Sequence, residues 1–243
     1  MTRRAFLTAE WRWLVMLNYE IDPGHLAPFL PRGTTLDLWQ ERAMVSVVGF
    51  QFLNSAIAGL PLPFHQRFEE VNLRFYVRRE AAGEVRRGVT FIRELVPRTV
   101  VALAARVAYN EPYTAVPMRS VVPPEVASGG RIEYAWKVRA SWQHIAAEFH
   151  GAAEVPAADS EGSFIAEHYW GYGKARDGST LEYEVSHPPW RIWSASNPEF
   201  TGDVAGLYGP GFVEALSAPP VSSFVAEGSP VTVYRAERLE ETP

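Results

Sequence analysis

Cysteine is absent from the 243 residues. That excludes disulfide staples, thiolate-held zinc, iron–sulfur clusters and thiol nucleophiles. Lysine is nearly absent: of the 23 Lys and Arg residues, only Lys137 and Lys174 are lysines. Arginine stays protonated in proteins, so a reaction that needs a neutral amine, such as imine formation, has just these two side chains to draw on. Long apolar runs are missing as well. Stretches such as Val100–Ala105 fall far short of the roughly 18 residues of a membrane span. Arg3 and Arg4 precede Ala5-Phe6-Leu7, but Glu10 and Arg12 interrupt the apolar run at once, so no signal-peptide core is expected and the cytoplasm is the expected location. There is no excess of positive charge: the formal net charge is −5 and the pI about 5.7, which gives no reason to expect nucleic acid as a partner. A phosphate loop, a dinucleotide fingerprint, a G-x-S-x-G elbow and an H-E-x-x-H helix are all absent.

What is present is an ordinary globular composition, 47% hydrophobic and 21% charged, with eight Trp, ten Tyr and thirteen Phe. The length is enough for a full core without staples. No repeat and no tether interrupts it, so one domain spanning residues 1–243 is expected. Gly151–Ser163 and Pro123–Gly130 read as surface loops.

Strand patterns dominate. Val71, Leu73, Phe75 and Val77 alternate with Glu70, Asn72, Arg74, Tyr76 and Arg78. Ala43–Leu53, Val89–Leu95, Arg131–Trp142, Val231–Tyr234, and a hairpin of Tyr169–Gly173 and Thr180–Ser186 around Asp177-Gly178 also read as strand. Helices are few. Asp22-Pro23 starts one that Pro31 stops, Thr99–Ala108 is an apolar helix or buried strand, and Gly211–Leu216 is a short one. Many strands and scattered helices predict an α+β fold, largely antiparallel, with a barrel-like sheet.

The polar row Glu70–Arg78 is the best site candidate. If the sheet curls, that face lines a cavity, with Glu70 and Arg74 pairing inside and anchoring a small polar or carboxylated ligand. Arg93 and Arg106 stand in apolar segments and each needs a partner there. His168, in Glu167-His-Tyr-Trp-Gly, is a second acid/base candidate, and His65 a third position of interest. His144, Glu148 and His150 share strand parity, but the outer two are about 20 Å apart along a strand at ~3.3 Å per residue, so no metal site is expected.

At these residues the chain resembles the YqjF-like bacterial family of unknown function. The resemblance rests on Leu17-Asn-Tyr-Glu-Ile-Asp-Pro23 through Leu30-Pro31, Val47-Val-Gly-Phe-Gln-Phe52, Phe68-Glu-Glu-Val-Asn-Leu-Arg-Phe-Tyr-Val77, Phe91-Ile-Arg-Glu94, Tyr109-Asn-Glu-Pro-Tyr113 and Glu167-His-Tyr-Trp-Gly171. That family is similar in fold to acetoacetate decarboxylase, which implies a β-barrel or cone with a few short flanking helices around a small-molecule pocket. The decarboxylase works through a lysine imine, its lysine lying in Gly-Phe-Pro-Lys-Lys. Here Pro112 matches the proline, and Tyr113 and Thr114 stand where the two lysines would be. A rival alignment on Gly171-Tyr-Gly-Lys174 keeps one lysine. An active-site carboxylate of the decarboxylase corresponds to Glu70.

Three readings follow. The first is a small-molecule-binding protein without the imine lysine, its ligand near Glu70, Asn72, Arg74, Arg93, Arg106 and Tyr113, with no cofactor. The second is a lyase or hydrolase using Glu70 or His168 as acid/base. The third is a non-catalytic interaction protein whose aromatic surface builds a homo-oligomer.

Overall fold

A computed structural model describes residues 4–61, 66–81, 83–99, 110–124, 126 and 129–239. Fifteen strands run through these residues: β1 (Ala5–Glu20), β2 (Thr35–Leu36), β3 (Met44–Ile57), β4 (Leu60–Pro61), β5 (Arg67–Ala81), β6 (Glu84–Val96), β7 (Tyr113–Ala115), β8 (Met118–Val121), β9 (Gly129–Val138), β10 (Ser141–His150), β11 (Trp170–Lys174), β12 (Thr180–Ser186), β13 (Ile192–Thr201), β14 (Ser222–Tyr234) and β15 (Glu237–Arg238). Hydrogen bonding orders twelve of them β15-β12-β11-β6-β5-β3-β1-β14-β13-β10-β9-β8, with β2 beside β5, β4 beside β3 and β7 beside β6. A further pairing of Val185 with Val233 and Ser186 with Thr232 brings β12 onto β14. The path β12-β11-β6-β5-β3-β1-β14 therefore closes partly into a ring, antiparallel except where β11 runs parallel to β6. The strands β13-β10-β9-β8 continue from β14 and fold back over its outside.

This arrangement answers the question posed by the alternating pattern of β5: neither face is solvent. Val71, Leu73, Phe75 and Val77 are fully buried in the outer core, which includes Tyr134, Trp136 and Ile145 of the covering strands. Gly49 on β3 belongs to the same contact, because a Cβ there would stand 2.7 Å from the Tyr134 ring. The polar row Glu70, Asn72, Arg74 and Tyr76 faces the inside of the ring, and only Arg78, past its end, is exposed.

Two irregularities set what else points inward. In β1 the register shifts between Arg12 and Val15, and Trp13 takes a φ of 58°. Trp11 and Leu14 thereby share the inner face although they are three residues apart. In β6 the register shifts opposite Leu73 and Arg74, so that Phe91 and Glu94 share the inner face.

Several sequence expectations hold. Asp22 caps the helix Pro23–Leu26, its Oδ1 accepting the Gly24 N–H at 2.7 Å. The one short helix expected over Gly211–Leu216 is present as a 3-10 turn, Pro210–Phe212, running into a helix over Val213–Ser217. Others need correction. Ser160, inside the expected loop Gly151–Ser163, caps a helix over Glu161–Ala166, whose buried Phe164, Ile165 and Ala166 join the cluster inside the ring. The expected strand through Trp142 is a hairpin, turning at Arg139 with a φ of 54°. Val138 opposes Ser141, which reverses the parity, so Trp142 is exposed beneath the Arg119 guanidinium rather than buried with Trp136. Except for Thr99, the predicted segment Thr99–Ala108, including Arg106, lies outside the described residues, as does His65.

Candidate functional site

The ring encloses a cavity of about 140 Å³. Its walls are mainly apolar and aromatic, with Trp11, Phe50, Phe52, Phe68 and Trp190 prominent. Phe52 stacks on Phe68 at 4.6 Å between centroids, and Trp190 stacks on His187 at 4.3 Å.

Polar groups collect on one part of the wall, supplied by neighbouring strands. Glu70 and Asn72 come from β5, and Asn72 Nδ2 donates to Glu70 Oε1 at 3.0 Å. Glu94 lies directly across from Asn72 in the β5–β6 pairing, and Tyr113 directly across from Glu94 in the parallel β6–β7 pairing. The Tyr113 hydroxyl donates to Glu70 Oε2 at 3.1 Å. Glu111 precedes β7, and the Tyr183 hydroxyl of β12 donates to its Oε1. That contact depends on Gly171, since a Cβ there would lie 2.0 Å from the Tyr183 ring.

Three carboxyl groups are thus buried together. Among the described residues none of them has a Lys or Arg within ion-pair distance. Burial pushes the Glu70 carboxyl up to about 7, against hydrogen bonds from Asn72 and Tyr113 and the charge of Arg74. Burial raises Glu111 to about 8, opposed by the Tyr183 hydrogen bond and reinforced by the charge of Glu70. Burial and the charges of Glu111 and Glu70 hold Glu94 well above the usual carboxylate range. With Glu70 and Glu111 raised to the neutral range, the cluster can both give and accept a proton.

Arg74 lines the cavity but makes no ion pair with Glu70, contrary to the expected pairing. Four residues along a strand is about 13 Å at ~3.3 Å per residue, and the guanidinium instead donates to the Ile165 carbonyl at 3.0 Å. Its Nε has no partner among the described residues. His168 also lines the cavity and packs tilted against the Tyr76 ring, 4.7 Å between centroids. Its Nε2 meets Asp37 Oδ2 at 3.2 Å, and Arg87 Nε donates to that same oxygen at 2.6 Å. Burial pushes His168 down to about 4, despite the hydrogen bond to Asp37. Burial alone would raise Asp37, but the hydrogen bonds from His168 and Arg87 hold it below its ordinary value. A neutral His168 bonded through Nε2–H leaves an acceptor at Nδ1, which is buried without a partner among the described residues.

Of the residues named from sequence, Glu70, Asn72, Arg74, Tyr113 and His168 come together on the cavity wall. Arg93 does not: the β6 irregularity turns it to the other face, where it donates to the Leu207 carbonyl at 3.1 Å and to Thr114 at 3.3 Å. Glu94, Glu111 and Tyr183 were missed. Glu94 was hidden by the parity change beside it. Glu111 and Tyr183 sit on segments whose inward direction is set only when the ring closes. Both lysines are described and neither lines the cavity. Lys174 is exposed and donates to the Pro28 carbonyl at 2.5 Å, and Lys137 lies on β9 of the covering strands.

No group of three or more His, Asp or Glu among the described residues has the geometry to hold a metal ion. His144 contacts Glu199 and Thr201, Glu148 contacts Asn197, and His150 is exposed. No helix among the described residues is long and apolar enough to cross a membrane.

Comparison with solved structures places the fold. The enduracididine biosynthesis enzyme MppR complexed with pyruvate is 18% identical with a TM-score of 0.68, over 99% of this chain and 92% of that one. Acetoacetate decarboxylase from Legionella pneumophila subsp. pneumophila str. Philadelphia 1 is 12% identical with a TM-score of 0.68, over 97% and 87%. An acetoacetate decarboxylase-like enzyme from Sphingomonas wittichii RW1 is 15% identical with a TM-score of 0.67, over 99% and 95%. At these identities the likeness establishes the fold, as the sequence resemblance implied. No curated protein matches the chain. Residues 8–230 match the family DUF2071, described as an uncharacterized conserved protein (COG2071), and the chain belongs to that family.

Proposed function

We propose that the chain binds a small organic molecule inside the ring without forming a lysine imine. The observation that carries this reading is the pairing of a largely apolar cavity inside the ring with a compact polar wall of Glu70, Asn72, Arg74, Glu94 and Tyr113. Pockets that hold small molecules combine these two features. The position of both lysines supports the absence of an imine: Lys174 is exposed with its amine on the Pro28 carbonyl, and Lys137 lies on β9 of the covering strands. An engineered apolar cavity of about 150 Å³ admits benzene, so a ligand with an apolar body of that order fits here. A structural neighbour is complexed with pyruvate, which favours a small ligand. A cytoplasmic location belongs to the same proposal.

A second reading is an enzyme, a lyase or hydrolase, with Glu70 or His168 as acid/base. It is favoured by the Glu70 carboxyl, which burial brings close to neutral pH. Aromatic residues as an oligomer face have less support, since Trp142 is the one aromatic among the exposed large hydrophobic residues described.

The test is an NMR screen of neutral, acidic and basic aromatic fragments against the full chain and a variant with the cavity filled, Val48→Trp. Fragments that bind the native chain and not the variant are expected. A native chain that binds none, or binds equally after filling, overturns the reading. Turnover of any hit that is lost in Glu70→Gln or in a His168 substitution decides for the enzyme.

A further inference from the structure

Most hydrogen-bond donors around the carboxyl cluster are already used. Asn72 Nδ2 and the Tyr113 hydroxyl donate to Glu70, and the Tyr183 hydroxyl donates to Glu111. Two buried oxygens on facing positions of β5 and β6 are left over. Asn72 Oδ1 and Glu94 Oε2 have no partner among the described residues, and the two side chains stand opposite each other on β5 and β6. Asn72 is 2% exposed and Glu94 is 1% exposed, and both line the cavity. Leaving buried polar atoms unsatisfied is costly. Asn72 Oδ1 can only accept, and Glu94 Oε2 accepts once its carboxyl is ionised, so a bound cation that takes the place of the Glu94 proton restores both bonds with donors.

The surroundings define the charge. Glu70, Glu94 and Glu111 face this spot from β5, β6 and the segment before β7, and Tyr113 and Tyr183 face it from β7 and β12. The cation on the same wall, Arg74, is two positions further along β5 and is held by the Ile165 carbonyl. His168 is bonded to Asp37 on the side away from its free Nδ1. A ligand carboxylate at the cluster would meet three carboxyl groups. A hydroxyl would supply one donor for two acceptors. A primary ammonium supplies three donors and a positive charge, which no Lys or Arg among the described residues brings within ion-pair distance of the three carboxyls.

The geometry points to a ligand whose polar end at this cluster is a protonated primary amine, held between Glu94 and Asn72, with its apolar body among the aromatic residues of the ring. This rests on the reading of the cavity as a small-molecule site and names the chemistry of the molecule.

The experiment compares benzylamine, benzyl alcohol and phenylacetate, three probes with one ring and different heads, by titration calorimetry on the full chain at pH 7.5. Benzylamine is expected to bind about tenfold or more tightly than the alcohol, as a charge-assisted bond exceeds a neutral one, and phenylacetate to bind least. The preference should shrink to a few-fold in Glu94→Gln. Benzylamine affinity should rise from pH 6 to 8, as the cluster loses protons while the amine keeps its own. Should Glu94→Gln not fold, the three probes and the pH series on the native chain carry the test alone. An alcohol or phenylacetate that binds as tightly as the amine overturns this inference and leaves the small-molecule reading intact. Failure of all three probes also overturns it. The fragment screen above then determines separately whether the cavity binds anything.

Discussion

The Tyr113 hydroxyl donates to Glu70 Oε2 at 3.1 Å, across the wall of a cavity in which neither residue meets a lysine. The phenol stands beside a carboxyl group, so a proton can pass at this position but no covalent bond to a carbonyl substrate can form from an amine. Replacing Tyr113 by Phe removes one of the two bonds that favour ionised Glu70. The Glu70 carboxyl is expected to titrate still higher in Tyr113→Phe, measured by carbon-13 NMR of labelled glutamate. An unchanged or lowered value contradicts this geometry.

Stability should fall with rising pH above about 6.5. Glu70 and Glu111 are raised in the folded chain, from 4.5 to about 7 and about 8. Raised acids stabilise the fold below their unfolded value, and that contribution disappears as pH climbs through the folded one. The slope reaches up to about 1.4 kcal/mol per pH unit for each proton involved. The depressed histidines, His168 and His187, act in the opposite sense, but below their ordinary 6.5. Denaturant melts at pH 6.5, 7.25 and 8 should show the decline, and Glu111→Gln should flatten it. A native chain whose stability is level or rising over that window counts against the raised carboxyl cluster.

Acid should weaken the His168 corner. Its folded value of about 4 lies below the ordinary 6.5, so its contribution is complete above 6.5 and is lost as pH drops towards 4. His168→Gln should make the melt less sensitive to pH between 6.5 and 4. An imidazole that protonates near 6.5 in the folded chain, by proton NMR, is the contrary outcome.

Gly171→Ala should cost roughly 1–3 kcal/mol, the usual penalty of overpacking. The new methyl would push the Tyr183 ring off Glu111. Thermal unfolding measures the loss, and a variant as stable as the native chain would mean that Tyr183 has room to move.

Much of this was legible in the chain itself. The period of two in β5 identified a polar row and an apolar row, and the row Glu70, Asn72, Arg74 is the one inside. The capped helix at Asp22 follows from local chemistry alone. What stayed hidden depends on register or closure. Glu94 reads as part of a strand with Arg93 until one extra residue in β6 reverses which of them faces in. The hairpin at Arg139 hides in an alternation that continues through it, because Arg139 is neither Gly nor Asn and gives no turn signal. Glu111 and Tyr183 are 72 residues apart and meet only because β12 joins the ring.

Borohydride trapping tests the central claim most directly. The full chain is incubated with acetoacetate, and separately with pyruvate, then reduced and weighed intact by mass spectrometry. A non-covalent pocket predicts an unchanged mass. A stable adduct mapped to Lys174 or Lys137 would show that an amine does reach the carbonyl, and would contradict the account.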